Sequence, residues 1–443
     1  MIETSLPVPL LSASARPDAA ASAQCAADLR WDPLMICIAG YVLVAVGRIH
    51  QLFSVIGLFR PAILMGALAI LLFYSDRRSI RRVLWVLVPT TKFVIALMVW
   101  MALSTPGAIV RGTSFDLLFG NFIKTFLMVL VIAAGVRGVR DVERVAIAYL
   151  ASAAIYAAVI LSRFSLGDGD SWRLGDLYYY DANDFATFLV TAMPLALYAI
   201  HRAPTSWYRL LGVGALALMT LAFVRTGSRG GFIALLAVVA VINFGYRAIA
   251  LRWRVSATAL VAVVVLATAS DRYWTQMGTI TSDTDYNRSE ETGRMKIWQR
   301  GIGYMLQYPV FGVGPNNFNA AEGRLSPIAE RQRHGRGVKW NAAHNSYVQV
   351  GAELGIPGLV IFIGMIASAF VALRRASRRA GAVRGADASL ELTQAMVASL
   401  TGFVVGAFFL SLAYSEILFT LLALAVALQK VTRPDALQVR RGV

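Results

Sequence analysis

The sequence predicts an all-α, polytopic transmembrane helix bundle, and three observations predict it. Apolar residues fill 57% of the 443 positions and charged residues 15%, against roughly 45–50% and about 25% in soluble domains. Apolar runs of about 18 or more residues recur along the whole chain. Lys and Arg gather in every second connection between these runs, as the positive-inside rule requires of a multi-pass protein. The net charge of +17 is therefore a topology signal and not a nucleic-acid footprint. With Cys25 and Cys37 as the only cysteines, a disulfide framework or zinc site is excluded.

The elements follow in order. Residues 1–30, rich in Ala, Ser and Pro, read as a disordered cytoplasmic tail with no basic segment ahead of a signal-like core. The apolar runs fall at about 33–47, 56–74, 83–103, 115–136, 144–162, 182–200, 208–224, 230–246, 255–270, 346–372, 392–411 and 414–429. That makes about twelve spans, grouped as spans 1–9 within 31–270 and spans 10–12 within 346–430, with a tail at 431–443. Gly47, Arg48 and His50 interrupt the first pair. Basic connections such as Arg77–Arg82, Arg137–Arg144, Arg247–Arg254 and Arg374–Arg384 place both termini in the cytoplasm. Two connections on the opposite, periplasmic side are long, about 163–181 and 271–345. Long loops commonly carry chemistry. Within the second, Glu290–Leu306 has an amphipathic pattern: Met295, Ile297, Trp298, Ile302 and Met305 on one face, Arg294, Lys296 and Arg300 among its basic members.

Several residues break the topology rule. Arg225 and Arg229 lie in Arg-Thr-Gly-Ser-Arg-Gly-Gly, a short connection on the side where arginine is not expected. Ser228 can cap the next helix, and a capped helix N-terminus beside arginine suits an anion, phosphate above all. Interfacial snorkelling is the plainer alternative. Arg294 opens the amphipathic helix against the helix dipole, and Trp298 follows one turn later. His344 stands in Trp340-Asn-Ala-Ala-His-Asn-Ser-Tyr ahead of an apolar run, where an imidazole can take a proton from a hydroxyl. Asn345 and Tyr347 can orient the ring or bind sugar, although a lone histidine is more often structural. Asp181, Asn183 and Asp184 follow the aromatic run Tyr178–Tyr180, which suits sugar binding and equally an aromatic belt. Lys92 and Lys124 fall inside apolar runs. Asp283-Thr-Asp285 and Gly167–Asp170 sit in polar stretches that suit solvated loops better than metal. No Walker, Rossmann or nucleophile-elbow motif is present.

In order along the chain, Arg225-Thr-Gly-Ser-Arg229-Gly-Gly, Gly293-Arg294-x-x-x-Trp298, Pro309-Val-Phe-Gly312-Val-Gly314, His344-Asn345-Ser346-Tyr347 and Glu353-Leu-Gly355-Ile-Pro357-Gly358-Leu359 resemble the O-antigen ligase and O-antigen polymerase superfamily, over about residues 180–370. The resemblance implies a GT-C-like inner-membrane glycosyltransferase with a periplasmic active site and neither metal nor other cofactor. Its implied donor is an undecaprenyl-diphosphate-linked glycan; the acceptor is lipid A–core for a ligase or a second lipid-linked glycan for a polymerase. It also implies catalysis by His344 and diphosphate binding by Arg229 and Arg294, with Arg225 and Arg229 not distinguished. The expected sugar contacts are Asn345, Tyr347, Asp181, Asn183 and Trp298. Partners are then lipid-linked glycans and the bilayer, not nucleic acid. A transporter of lipid-linked sugars is the alternative from another class; it requires a charge-lined path through the bundle. The short segment after Gln429 disfavours a protein acceptor.

Overall fold

The computed structural model describes residues 31–76, 79–163, 172–174, 177, 179–282, 290–329, 341–383 and 385–433. The expected tail 1–30, Cys25, the Gly167–Asp170 and Asp283–Asp285 stretches, Tyr178 and Trp340 lie outside these residues, as does the end of the chain from 434. The described residues are helical without strands. Their long helices are α1 (Pro33–Gly47), α2 (Pro61–Ser75), α3 (Pro89–Ser104), α4 (Arg111–Gly135), α5 (Val139–Arg163), α6 (Ala182–Arg202), α7 (Ser206–Thr226), α8 (Arg229–Gly245) and α9 (Leu251–Thr268). Then come α10 (Asp271–Gly278), α11 (Arg294–Gln307), α12 (Phe318–Leu325), α13 (Ser346–Gly381), α14 (Asp387–Phe409) and α15 (Glu416–Val431).

Seven of these helices, α4 to α7, α9, α13 and α14, are long and apolar enough to cross a membrane, while α1, α2 and α8 are apolar but shorter. Each expected apolar run overlaps helix, but 56–74 and 83–103 are each divided by a break, and boundaries move. Pro89 delays α3, because proline is favoured in a helix's first turn and disfavours helix just before it. α5 begins earlier than its apolar run, at Val139, and α13 runs on through Arg374, Arg375, Arg378 and Arg379. Hydropathy marks the segment that lipid accepts; backbone hydrogen bonding continues the helix beyond it. The amphipathic segment starts at Arg294 and not at Glu290. Its Arg300 turns inward to a carboxylate of Glu322 on α12 at 2.6 Å, so it is not part of a free basic face. That hydrogen bond raises the Arg300 guanidinium pKa further. Lys92 and Lys124 are both exposed.

Helix starts are written in the local sequence. Asp32, Asp181, Thr205, Ser228, Ser270, Asn345 and Ser415 each cap the helix that follows with a side-chain oxygen, satisfying backbone donors that have no helical partner. α6 is the central post: 83% of its most apolar window is buried, against 6% for α9, which lies at the periphery. α15 is also enclosed, with Ile417–Leu428 buried throughout.

The helices alternate in direction, so their connections divide between two ends. One end gathers the basic connections. There Asp141 is bonded by Arg137 at 2.9 Å and by Arg144 at 2.9 Å, and Arg137 also reaches Asp32 at 2.7 Å. Glu391 binds both His201 and Arg202 at 2.9 Å. Contacts gather Asn183, Arg229, Trp298, His344, Asn345 and Tyr347 at the other end.

Candidate active site

α8 begins with the Arg229 side chain and a capped N-terminus: Ser228 Oγ accepts the Gly231 N–H at 3.1 Å. Gly227 closes α7 at φ +56°, a left-handed conformation that glycine adopts without strain. A Cβ there would sit 2.6 Å from the Trp172 ring. Arg173, beside that tryptophan, donates to the Thr226 carbonyl at 2.5 Å and to Asn183 Oδ1 at 3.0 Å. The 163–181 connection is thereby tied to both the Arg225–Arg229 turn and the first turn of α6. Asp181 is exposed and spends Oδ1 on the N–H groups of Asn183 and Asp184, each at 2.7 Å. Arg225 and Arg229 are both half-buried. Arg229 donates to Thr279 Oγ1 at 2.6 Å, just beyond α10. Within α10, burial pushes the Tyr273 hydroxyl up to about 12.

His344 is held in a left-handed backbone conformation, φ +46°. Such a conformation costs a non-glycine residue on the order of 1–2 kcal/mol, and strain of this kind concentrates at functional sites. Two neighbours maintain it. The His344 N–H donates to Ser411 Oγ at 2.9 Å, and Asn345 caps α13 through the N–H groups of Tyr347 and Val348. Asn345 is 1% exposed, and the Tyr347 hydroxyl donates to the Val404 carbonyl at 3.0 Å. Both side chains thus hold the framework around the histidine. Trp298 does the same from α11, donating from Nε1 to the Ala343 carbonyl at 3.0 Å. Arg294, half-buried, opens that helix one turn earlier.

The segment 407–412, which the sequence placed at the end of an ordinary span, joins these pieces. Phe408 packs edge-on to Trp298 at 5.8 Å and against Tyr347 at 5.7 Å. Phe409 lies against Gly230 so closely that a Cβ there would sit 2.7 Å away. The Leu410 carbonyl accepts from Ser346 Oγ at 2.7 Å, and the Leu412 N–H donates to the same hydroxyl at 2.9 Å. Arg229's helix start, the histidine and the tryptophan therefore share one scaffold. The available signal was weak: a Phe-Phe-Leu-Ser run closing a span, in a string of apolar residues.

Two further motifs form a single lock. Gly355 sits at φ +71° and breaks α13. The break frees carbonyls, and the 309–314 turn takes them. The Val313 N–H donates to the Ala352 carbonyl and the Gly314 N–H to the Glu353 carbonyl, both at 2.9 Å, and the Ile356 N–H donates back to the Pro309 carbonyl at 2.8 Å. Trp100 Nε1 takes the Leu354 carbonyl at 2.9 Å and its ring stacks on Phe311. The carboxyl group of Glu353, 1% exposed, accepts from the Asn316 N–H at 2.9 Å, the Phe318 N–H at 3.2 Å and the Tyr414 hydroxyl at 2.8 Å. A buried carboxyl needs such donors to offset its desolvation. Among the described residues, no three His, Cys, Asp or Glu side chains are grouped to hold a metal ion.

Residues 214–363 match a family model described as O-antigen ligase. No curated protein matches the chain. The matched segment contains Arg225, Arg229, Arg294, Trp298, His344 and the Gly355 lock, and stops before the 407–412 scaffold. With its membrane-length apolar helices, this supports ligase- or polymerase-type chemistry on lipid-linked glycan in a membrane. Over residues 214–363, about a third of its length, the chain is thus similar to the O-antigen ligase family.

Proposed function

We propose that the protein is an O-antigen ligase-type glycosyltransferase of the bacterial inner membrane. It moves a glycan from undecaprenyl diphosphate to an acceptor hydroxyl on lipid A–core, at the periplasmic face and without a metal. The observation that carries this reading is the shared scaffold. The 407–412 segment supports both the capped helix N-terminus at Arg229 and the strained His344.

The chemistry follows from the groups available. His344 takes the proton of the acceptor hydroxyl. The acceptor oxygen attacks the anomeric carbon, the bond from that carbon to the phosphate oxygen breaks, and the configuration inverts. The departing diphosphate keeps the electron pair. Arg229 and Arg294, with Arg225, hold it, because guanidinium stays charged and offers paired donors, and the capped N-terminus of α8 adds backbone N–H groups. Asn345, Tyr347 and Trp298 position the histidine; Asn183 and Asp181 line the approach from the 163–181 connection. An O-antigen or exopolysaccharide polymerase uses the same donor chemistry with a second lipid-linked glycan as acceptor.

The test is transfer in vitro by the purified full chain from lipid-linked glycan. His344→Ala is expected to abolish product and leave donor binding intact, and Arg294→Ala to weaken donor binding. Full activity of His344→Ala would overturn the assignment, and activity that collapses with a chelator would overturn the metal-free mechanism. In a deletion strain, full-length chains left unattached to core indicate the ligase; single unpolymerised repeats indicate the polymerase.

A further inference from the structure

A cavity of about 440 Å³ opens beside the 407–412 scaffold, at the same end of the bundle. Its volume falls in the roughly 300–1,000 Å³ range of small-ligand sites. Ser411, which holds the His344 N–H, is part of its wall, and so is Asp184, next to Asn183. Arg48, Asn121, Gln349 and Glu416 are among its other polar lining residues, and none of these four lies in a motif that marks the catalytic groups.

Four features distinguish it from a packing defect. First, two residues of its lining, Gln349 and Arg48, carry buried polar atoms whose bonding capacity the fold leaves unused. Gln349 is 7% exposed, its Oε1 has no hydrogen-bond partner, and neither does Arg48 Nε. Buried polar atoms are seldom left this way. Second, strain concentrates here. Of the described residues, the non-glycine residues at positive φ are Arg48, Arg60, Asn316 and His344; Arg48 and Asn316 line the cavity, and His344 is bonded to its wall. Third, α4 delivers Leu117, Asn121 and Phe122 to it through a π-helical stretch, Asp116–Phe122, a distortion frequent at functional sites. Fourth, it has an aromatic face: Tyr179 is 50% exposed, and the Arg48 guanidinium lies 3.8 Å over its ring.

The charge pattern selects the ligand. Arg48 is bonded to Glu416 at 2.7 Å, and Asp184 adds a second carboxyl group. A diphosphate is disfavoured beside the Glu416 carboxylate and is held instead by Arg229 and Arg294 in the proposed transfer. A neutral, hydroxyl-rich ring with an apolar face does fit, since the carboxyl groups of Glu416 and Asp184 accept from hydroxyls while Arg48 and Asn121 donate.

We infer that this cavity is a sugar-binding subsite for the glycan that enters the reaction at His344, with Arg48, Glu416, Gln349 and Asn121 as its specificity-determining residues. The inference rests on the transferase reading. The same chemistry serves the donor's first sugars or the acceptor's sugars, and the probes separate these sources.

Binding to the purified full chain in detergent is measured by calorimetry with three probes: undecaprenyl diphosphate without sugar, delipidated oligosaccharide from the host's O-antigen, and free core oligosaccharide. Arg48→Lys and Glu416→Gln are expected to weaken one of the two oligosaccharides by about tenfold or more, as loss of a charge-assisted hydrogen bond does, with binding of the sugar-free lipid unchanged. The probe affected names the source. Asn121→Ala, at an exposed side chain outside the framework, gives a smaller loss of the same kind with no change in thermal unfolding. If neither oligosaccharide binds the wild-type chain, or both bind all variants equally, the subsite is wrong. His344-dependent transfer with variant-insensitive sugar binding would remove the subsite and leave the enzyme. Variant-sensitive sugar binding in a chain that transfers nothing would do the reverse.

Discussion

The two ends of the bundle pair arginines with carboxylates alike but differ in what surrounds those pairs. At the basic end, arginines neutralise carboxylates. Asp141 is 2% exposed and lies between Arg137 and Arg144, while Glu391, 3% exposed, gathers Arg202 and His201. These networks pin helices together, although Arg202 Nη2 is buried without a hydrogen-bond partner. At the opposite end arginines also pair with carboxylates, Arg48 with Glu416 and Arg300 with Glu322, but there His344 is held in a strained backbone conformation and a cavity lined by Arg48 and Gln349 opens beside it. The difference teaches how to tell a structural end from a working one. Ion pairs completed by the fold contribute stability, whereas backbone strain such as that at His344 is a feature that concentrates at functional sites.

Substitutions can break or sharpen this contrast. The largest effect is expected at His344. His344→Gly should lower transfer by about 10²–10⁴-fold, the usual contribution of a general base. It should also leave thermal stability equal or higher, because glycine tolerates the left-handed conformation. A parallel loss of stability and activity would make the residue structural. Next is Gly355→Ala: its Cβ would press on the Val310 and Pro309 carbonyls. The helix break would strain or open, with about 3 kcal/mol of destabilisation, seen as a fall in the unfolding temperature in detergent. An unchanged unfolding temperature would mean that the lock is soft.

Arg229→Lys comes third. Replacing a bidentate fork with a point charge should weaken sugar-free undecaprenyl diphosphate by roughly tenfold, a cost of about 1.4 kcal/mol, with the fold intact. Equal binding by wild type and variant would separate Arg229 from the diphosphate. Smallest in its effect on chemistry is Asp141→Asn, at the basic end. It should lower stability by about 3 kcal/mol, as removing one charge from a buried ion network does, while transfer per folded molecule stays the same. A change in transfer rate there would erase the distinction between the two ends.

Much of the architecture was legible in the sequence, because a membrane span states itself locally. Apolar length and the side on which Arg accumulates follow from transfer of each segment into lipid, and a helix satisfies its own backbone without distant partners. Caps such as Asp181, Ser228 and Asn345 are equally local, since each bonds groups two or three residues away. Arg225, Arg229, Arg294 and His344 were visible because they violate the expectation for their position. Boundaries were less legible wherever charged residues extend a helix, as at Val139 and Arg378.

What the tertiary structure alone decided is which of these local statements meet. Gly355 is only a glycine in an apolar run until the 309–314 turn is seen taking the carbonyls it frees. Ser411 and Phe409 are an unremarkable end of a span until they touch His344 and Gly230, far away in sequence. Arg48 read as an interruption between spans, and became a cavity wall through its contacts with Tyr179 and Glu416. Composition and periodicity report how each segment meets lipid or water. Contacts between segments depend on how helices pack, and hydropathy does not encode packing.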